Sequence, residues 1–152
     1  MKVLAQRVKG AKLFVDEEDV GKIAQGLLVF VGIENDDILE DVSFMVDKLV
    51  NLRIFEDDQA KLNLSPKDKG LEIMCIPNFT LAGSVHKGRR PSFDNAAGKE
   101  KGKEFFDLFC RQIEKEGLHC VSGIFGASMT IDVRNYGPVN IILDSCARHN
   151  RG

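Results

Sequence analysis

The run Gly26-Leu27-Leu28-Val29-Phe30-Val31-Gly32-Ile33 constrains this chain more than any other stretch. It is short, rich in branched side chains and apolar at every non-glycine position. Such a segment reads as a strand buried on both faces, with other layers of the fold above and below it. The apolar period then changes. Ile38, Val42, Met45, Val46 and Leu49 recur at helical spacing and predict a helix covering one side of a sheet, with Asp37 and Glu40 placed for a capping box. A second helix is expected from Lys99 to about Glu116, with Phe105, Leu108, Phe109 and Ile113 on one face and Gly117 as its stop.

The remaining elements read as strands. Residues 2–9 and 11–16 alternate around a turn at Lys9-Gly10, and residues 51–56 and 61–64 flank the polar Asp57-Asp58-Gln59. Leu71 to Ile76 is a second buried run, ended by Pro77, and a loop rich in Gly, Lys and Arg follows from Ala82 to about Gly98. Strands over 127–134 and 138–144 are joined by Asn135-Tyr136-Gly137-Pro138. Many strands with two main helices imply an α/β chain with a mixed or antiparallel sheet rather than a doubly wound one. No linker, repeat or low-complexity segment interrupts the 152 residues, so one domain is expected over 1–146, with a frayed polar tail over 147–152.

Composition excludes several classes. At 43% hydrophobic and 29% charged residues, the chain has the balance of a folded domain rather than a disordered one. No apolar run approaches the ~18 residues of a membrane span. MKVLAQRVKG is charged and alternating, unlike a signal peptide, which predicts a cytoplasmic protein. Cys75, Cys110, Cys120 and Cys146 form no CxxC pair and have no histidine at zinc-ligand spacing. They are expected as reduced structural thiols, Cys75 and Cys146 as small buried apolar groups, with no metal and no cofactor. The net charge is −2, so any hold on nucleic acid must come from local patches, such as His86, Lys87, Arg89 and Arg90, followed by Lys99, Lys101 and Lys103.

No common catalytic engine is visible: there is no GxSxG elbow, HExxH pair or phosphate loop. His86, His119 and His149 fall where a histidine is ordinarily solvated. Two stretches stand apart. In Pro77-Asn78-Phe79-Thr80-Leu81 a buried strand runs straight into polar residues around an aromatic, which by itself fits a strand end satisfied by Asn and Thr. Asn135-Tyr136-Gly137-Pro138-Val139 reads by default as a hairpin turn, whose proline has an appreciable chance of being cis.

Taken with these two stretches, the chain resembles the D-aminoacyl-tRNA deacylases nearly end to end. The resemblance is carried by Gln6-Arg7-Val8, Gly26-Leu-Leu-Val29, Asn51-Leu-Arg-Ile-Phe-Glu56, Arg90-Pro-Ser-Phe93, Phe125-Gly-Ala127 with Met129, and Gly137-Pro-Val139 followed by Ile-Ile-Leu-Asp-Ser145. It implies a single domain of mixed and antiparallel sheets in a barrel-like sandwich, a homodimer with shared active sites, and hydrolysis of the ester of D-aminoacyl-tRNA or glycyl-tRNA. Residues 77–81 match the segment that lines the family's pocket for the 3′-terminal aminoacyl-adenosine, which makes Phe79 and Thr80 the expected catalytic pair and Asn78 a substrate contact. Met129 matches the family's pocket methionine. Gly137-Pro138 matches its Gly-cisPro chirality filter, inserted into the partner's site, and Arg7 the arginine that brace it. Lys87, Arg89 and Arg90 are then candidate tRNA contacts.

Three positions depart from the family pattern: Pro77 and Asn78 stand for the usual Ser and Gln, and Asn140 for a Thr. Pro77 removes a hydroxyl and a backbone donor, and it resembles the paralogue that removes a mischarged L-amino acid. Two other readings stay open, that L-specific enzyme and a non-catalytic nucleic-acid-binding module of the same fold. An aminoacyl ester is already activated, so positioning and N–H donors at Phe79 and Thr80 can suffice, with Thr80 either a nucleophile or an orienting group. Stacking of the single-stranded CCA end falls to Phe79.

Overall fold

In the computed structural model, residues 1–86 and 88–149 are described, for His149 the backbone alone. Strand β1 (Lys2–Val15) is the spine of the molecule. It pairs antiparallel with β3 (Gly26–Gly32) over its first half and with β2 (Glu18–Ile23) over its second. On its other side β8 (Met129–Asp144) runs antiparallel along its whole length, from Lys2 opposite Asp144 to Val15 opposite Met129. Beyond β3 the order continues through β6 (Glu72–Pro77) and β7 (Cys120–Ser122), each parallel to its neighbour. The sheet is therefore mixed. It curls until β2 meets β7, where a Cβ added to Gly21 would lie 2.7 Å from Val121 Cγ1, and so forms a nearly closed barrel.

Two apolar clusters fill the two sides of this sheet. Helices α1 (Leu39–Val50) and α3 (Lys99–Lys115) cover the outer side. Val42, Met45 and Leu49 of α1, and Phe105, Phe106, Phe109 and Ile113 of α3, pack there with Val3, Ala5, Leu27, Val29, Ile73 and Cys75. Leu108, expected on that face, is only partly buried, and its neighbour Phe106 takes the place. Val8, Ala11, Leu13, Ile23, Leu28, Met74 and Ile76 fill the barrel. Burying each large side chain contributes about 1.5–3 kcal/mol. The alternation of Leu27 and Val29 with Leu28 between the two clusters is why the glycine-flanked run has no polar face.

Two strand expectations are corrected. No turn interrupts β1 at Lys9-Gly10: Val8 lies opposite Asn135 and Gly10 opposite Arg134, so Lys9 is an extra residue, a bulge. That residue reverses the alternation, and the odd-numbered side chains pass from the helix side (Val3, Ala5) to the barrel (Ala11, Leu13). Likewise, 127–134 and 138–144 are not two hairpin strands but one, β8, with Tyr136-Gly137-Pro138-Val139 looped out between partners Asn135 and Asn140. The short strands β2 and β7, with few apolar residues, were not legible in sequence.

Shorter elements complete the chain. Strands β4 (Phe55–Glu56) and β5 (Leu62–Leu64) pair with each other. Helix α2 (Pro66–Lys69) is capped by Ser65, whose Oγ accepts from the Asp68 N–H while the Asp68 carboxylate accepts from the Ser65 N–H. Helix α1 is capped by Asp41, which accepts from the Ile38 N–H at 2.9 Å, rather than by the Asp37–Glu40 pair. Asp37 is instead buried, accepting from the Glu34 N–H and the Met1 ammonium beside Ser145. The expected frayed tail begins as one turn, α4 (Cys146–His149), with Arg148 3.3 Å from Asp41. Among the described residues no helix is long and apolar enough to cross a membrane.

Candidate active site

The carboxyl end of β6 carries the first singled-out stretch. Asn78 still belongs to the sheet, its N–H donating to the Val31 carbonyl at 2.8 Å. The chain then leaves the core not as a strand but as a 3-10 turn over Phe79–Ala82, for which Asn78 is the cap. Asn78 Oδ1 accepts from the Thr80 N–H at 3.2 Å and also, in a short contact, from the Thr80 hydroxyl. The Thr80 N–H, expected as a donor to substrate, is thus taken. The Phe79 N–H meets no acceptor among the described residues, as befits the first residue of a turn.

Phe79 is 56% exposed and holds its ring edge-on to Phe93, centroids 5.1 Å apart. Phe93 was not singled out as a site residue, although it ends the Arg90-Pro-Ser-Phe93 motif. The loop it closes is tied by mutual backbone bonds between Ser84 and Ser92, both 2.8 Å. His86, Arg89 and Arg90 lie exposed within that loop, and Lys87 lies outside the described residues. The turn and loop meet tightly at Gly83, where an added Cβ would stand 2.9 Å from the Thr80 carbonyl and 2.8 Å from Phe93.

Beside Phe79 lies a pocket of about 280 Å³ lined by Ile76, Pro77, Asn78, Phe79, Met129 and Ile131, with Gly126 and Ala127 at its side. The structure thus brings Asn78, Phe79 and Met129 together at one pocket, with Thr80 next in the turn. Pro77 forms part of the wall rather than offering a hydroxyl. Gly123 is pressed against the Met129 sulfur and the Pro77 ring, at 2.9 and 3.0 Å from a built Cβ, so both walls are backed.

Arg7, Gly137 and Pro138 are assembled elsewhere. Arg7 is buried opposite the looped-out segment of β8. Its Nε donates to the Tyr136 carbonyl at 3.0 Å and its Nη1 to the Ile54 carbonyl at 2.8 Å, while its guanidinium lies 4.2 Å from the Tyr136 ring centroid. Tyr136, which sequence reasoning passed over, is therefore the clamp's other jaw. The Gly137-Pro138 peptide is cis, and Nη2 of Arg7 stands 3.1 Å from the Cβ position of Gly137. Gly137 and Pro138 do not line the pocket of their own chain, to which β8 contributes only Met129 and Ile131.

Of the cysteines, Cys75 is buried as expected. Cys146 is exposed rather than buried, whereas Cys75, Cys110 and Cys120 converge within 4.8 Å of one another in the helix-side core. Burial pushes the Cys75 thiol well up.

A nearly closed mixed barrel with two helices on one side, and an aromatic turn opening a pocket at the strand ends, defines a class, and the sequence model of the D-Tyr-tRNA(Tyr) deacylase family matches residues 4–144. The chain belongs to that family. It is 48% identical over 145 residues to the D-aminoacyl-tRNA deacylase of Clostridium perfringens, covering 95% of this chain and 97% of that one. To the enzyme of the same name from Kosmotoga olearia it is 46% identical with the same coverage. Among solved structures it superposes on the c-Myc DNA Unwinding Element Binding Protein with TM-score 0.89 and 38% identity, over 95% of this chain and 98% of that one. A probable eukaryotic D-amino acid tRNA deacylase shares the fold at TM-score 0.82 and 20% identity, over 93% and 97% of the two chains.

Proposed function

We propose that this chain hydrolyses the ester of D-aminoacyl-tRNA, and of glycyl-tRNA, releasing the free amino acid and tRNA. The observation that carries the reading is the Asn78-capped turn, which presents an exposed Phe79 and an oriented Thr80 at the mouth of the Met129 pocket. Phe79 offers a stacking face for the terminal adenine. The Phe79 N–H faces the developing negative charge of the carbonyl oxygen as the ester is attacked. Thr80 is an orienting group rather than a nucleophile: its hydroxyl proton points at a carboxamide oxygen, which is no base at neutral pH. A water, or the ribose 2′-hydroxyl, makes the attack.

The chain acts as a homodimer in which each pocket is completed by Gly137-Pro138 of the partner. The clasped loop over the buried arginine lies outside its own chain's pocket, while β8 has an open edge with Ile142 77% exposed. Glycine has no side chain for the Gly137-Pro138 wall to reject, so D and glycyl esters pass where L esters clash. Exposed Arg89 and Arg90, with Lys87, contact the tRNA phosphates, in the cytoplasm. Light scattering that returned 16.9 kDa, the monomer mass, would overturn the shared site.

A second reading has one observation in its favour, the close superposition on a protein named for binding a DNA unwinding element. Incubation with D-Tyr-, L-Tyr-, Gly- and L-Ala-tRNA separates the readings. Turnover of D-Tyr- and Gly-tRNA alone is expected. Binding without turnover supports the nucleic-acid module, and turnover of L-Ala-tRNA the L-specific paralogue suggested by Pro77.

A further inference from the structure

Cys75 stands at the centre of β6, Cys110 on the inner face of α3 and Cys120 at the start of β7, so three elements far apart in sequence aim three sulfurs at one point. The register explains two of them. Ile73 lies opposite Cys120, which puts Cys75 and Cys120 two positions apart on adjacent parallel strands and on the same face. Their sulfurs are 3.8 Å apart. Three sulfurs at a metal–sulfur distance of ~2.3 Å lie about 3.8–4.0 Å from one another, so the thiols need to close by less than about an ångström. Among the described residues this is the one cluster of three or more cysteine, histidine or carboxylate side chains close enough to hold a metal ion together.

We propose that Cys75, Cys110 and Cys120 form a three-coordinate site for a soft, thiophilic cation, Cu(I). The coordination number selects the metal. Zn²⁺ in a structural site takes four ligands, whereas an all-sulfur, three-membered set suits Cu(I). The surroundings agree: Cys75 and Cys110 belong to the apolar cluster under α1 and α3, which excludes the hard oxygen ligands that other cations require. Cys120, only partly buried, is the entrance. Binding converts two thiols to thiolates and releases two protons to solvent. The third sulfur binds as a thiol, because a third ionisation would leave two uncompensated negative charges in the core. Cys75 lies two residues before Pro77, so the bound ion would anchor the strand that delivers Asn78 to the pocket.

The test is an anaerobic titration of fully reduced Cys146→Ser protein with Cu(I), in competition with bicinchoninate, followed by X-ray absorption at the copper edge. One ion per chain, sulfur neighbours only, and about two protons released are expected. Cys120→Ser, checked for native circular dichroism, should bind at least roughly 100-fold more weakly. Cys110→Ser serves in its place if that variant unfolds. The proposal is overturned if the reduced protein yields all its copper to the competitor, or if the serine variants retain it as tightly as the parent. It is equally overturned if air oxidation joins Cys75 to Cys120 in a disulfide while the reduced protein holds no copper.

Discussion

Replacing Arg7 by alanine tests the link between a buried side chain and a remote specificity. In the folded chain Arg7 donates to the carbonyls of Ile54 and Tyr136 and lies against the Tyr136 ring. A hydrogen bond from a charged donor contributes about 1.5–3 kcal/mol, and a guanidinium over an aromatic ring about 0.5–1 kcal/mol or more. Those contributions are not additive. The arginine's own desolvation in the native state and water entering the vacated space both reduce the sum, so about 3 kcal/mol is the expected loss of stability. In urea, with m near 2 kcal/mol/M, the midpoint should fall by about 1.5 M at a fixed protein concentration. Arg7→Lys keeps the charge but cannot reach two carbonyls and a ring at once, and should lose about half as much.

The same substitution releases the Tyr136 carbonyl and frees the looped-out segment, so the proposed wall against L side chains should soften. The measured quantity is the ratio of D-Tyr-tRNA to L-Tyr-tRNA hydrolysis, which should narrow by roughly tenfold for every 1.4 kcal/mol of lost discrimination. An Arg7→Ala protein within about 0.5 kcal/mol of the parent, discriminating as sharply as before, would refute both the energetic and the functional argument.

Three further outcomes follow from local geometry. Thr80→Ala should retain deacylation within about 10–100-fold of the parent, whereas loss of a true nucleophile costs several orders of magnitude; single-turnover kinetics decides, and Asn78→Ala, which frees the whole turn, should be the more harmful of the two. Gly26→Ala should fail to fold or lose more than about 4 kcal/mol, because its Cβ would sit 1.9 Å from the backbone carbonyl of Glu72 where β3 and β6 begin; a native far-ultraviolet spectrum and unfolding midpoint would show that reasoning wrong. Ser65→Ala should cost about 1 kcal/mol at neutral pH. The Ser65 backbone and side-chain donors hold the Asp68 carboxyl below its ordinary range, so the cap's stabilisation is present above the unfolded aspartate pKa and fades as pH falls through the lower folded one. The gap between the denaturant curves of the two proteins should therefore narrow as pH falls below roughly 4, down to the part due to the Asp68 N–H bond to Ser65 Oγ, which does not titrate, and a constant gap would contradict the assignment.

The parts of the fold that were legible in sequence are those whose apolar pattern runs without irregularity along one element. The Gly26–Gly32 strand, buried on both faces, and the two main helices, each burying one face, are of this kind. Strands β1 and β8 were misread because their irregularities come from pairing, not from local preference. Lys9-Gly10 resembles a turn, yet its extra residue is absorbed as a bulge against a partner more than a hundred positions away. Strand β7, three residues long, exists because Gly123 and Ile73 find acceptors in its neighbourhood, which no local window contains. Of the site, the Asn78–Thr80 segment was visible as a polar interruption of a buried run. Phe93 and Tyr136 were not, since an aromatic in a loop gives no sign of what it will touch.

The same distinction separates the two kinds of site in this molecule. Around Phe79 most determinants are contiguous, Asn78 and the turn Phe79–Ala82, with Met129 and Ile131 of β8 completing the pocket. The Arg7 clamp draws on positions 7, 54 and 136, of which Arg7 alone was expected, through the resemblance, and the sulfur cluster draws on 75, 110 and 120, which share no motif. Contiguity also suits the chemistry proposed. An ester that needs only orientation and one or two donors can be served by the end of a strand, because a rigid sheet fixes the strand's last residue and the turn inherits that precision. Discrimination between mirror-image substrates makes a different demand: a wall must hold its position against the pressure of a misplaced side chain. A loop alone yields. A loop whose carbonyl is held by a buried arginine, itself anchored to a second element at Ile54, transfers that pressure to the barrel, which is what the proposed wall against L side chains requires.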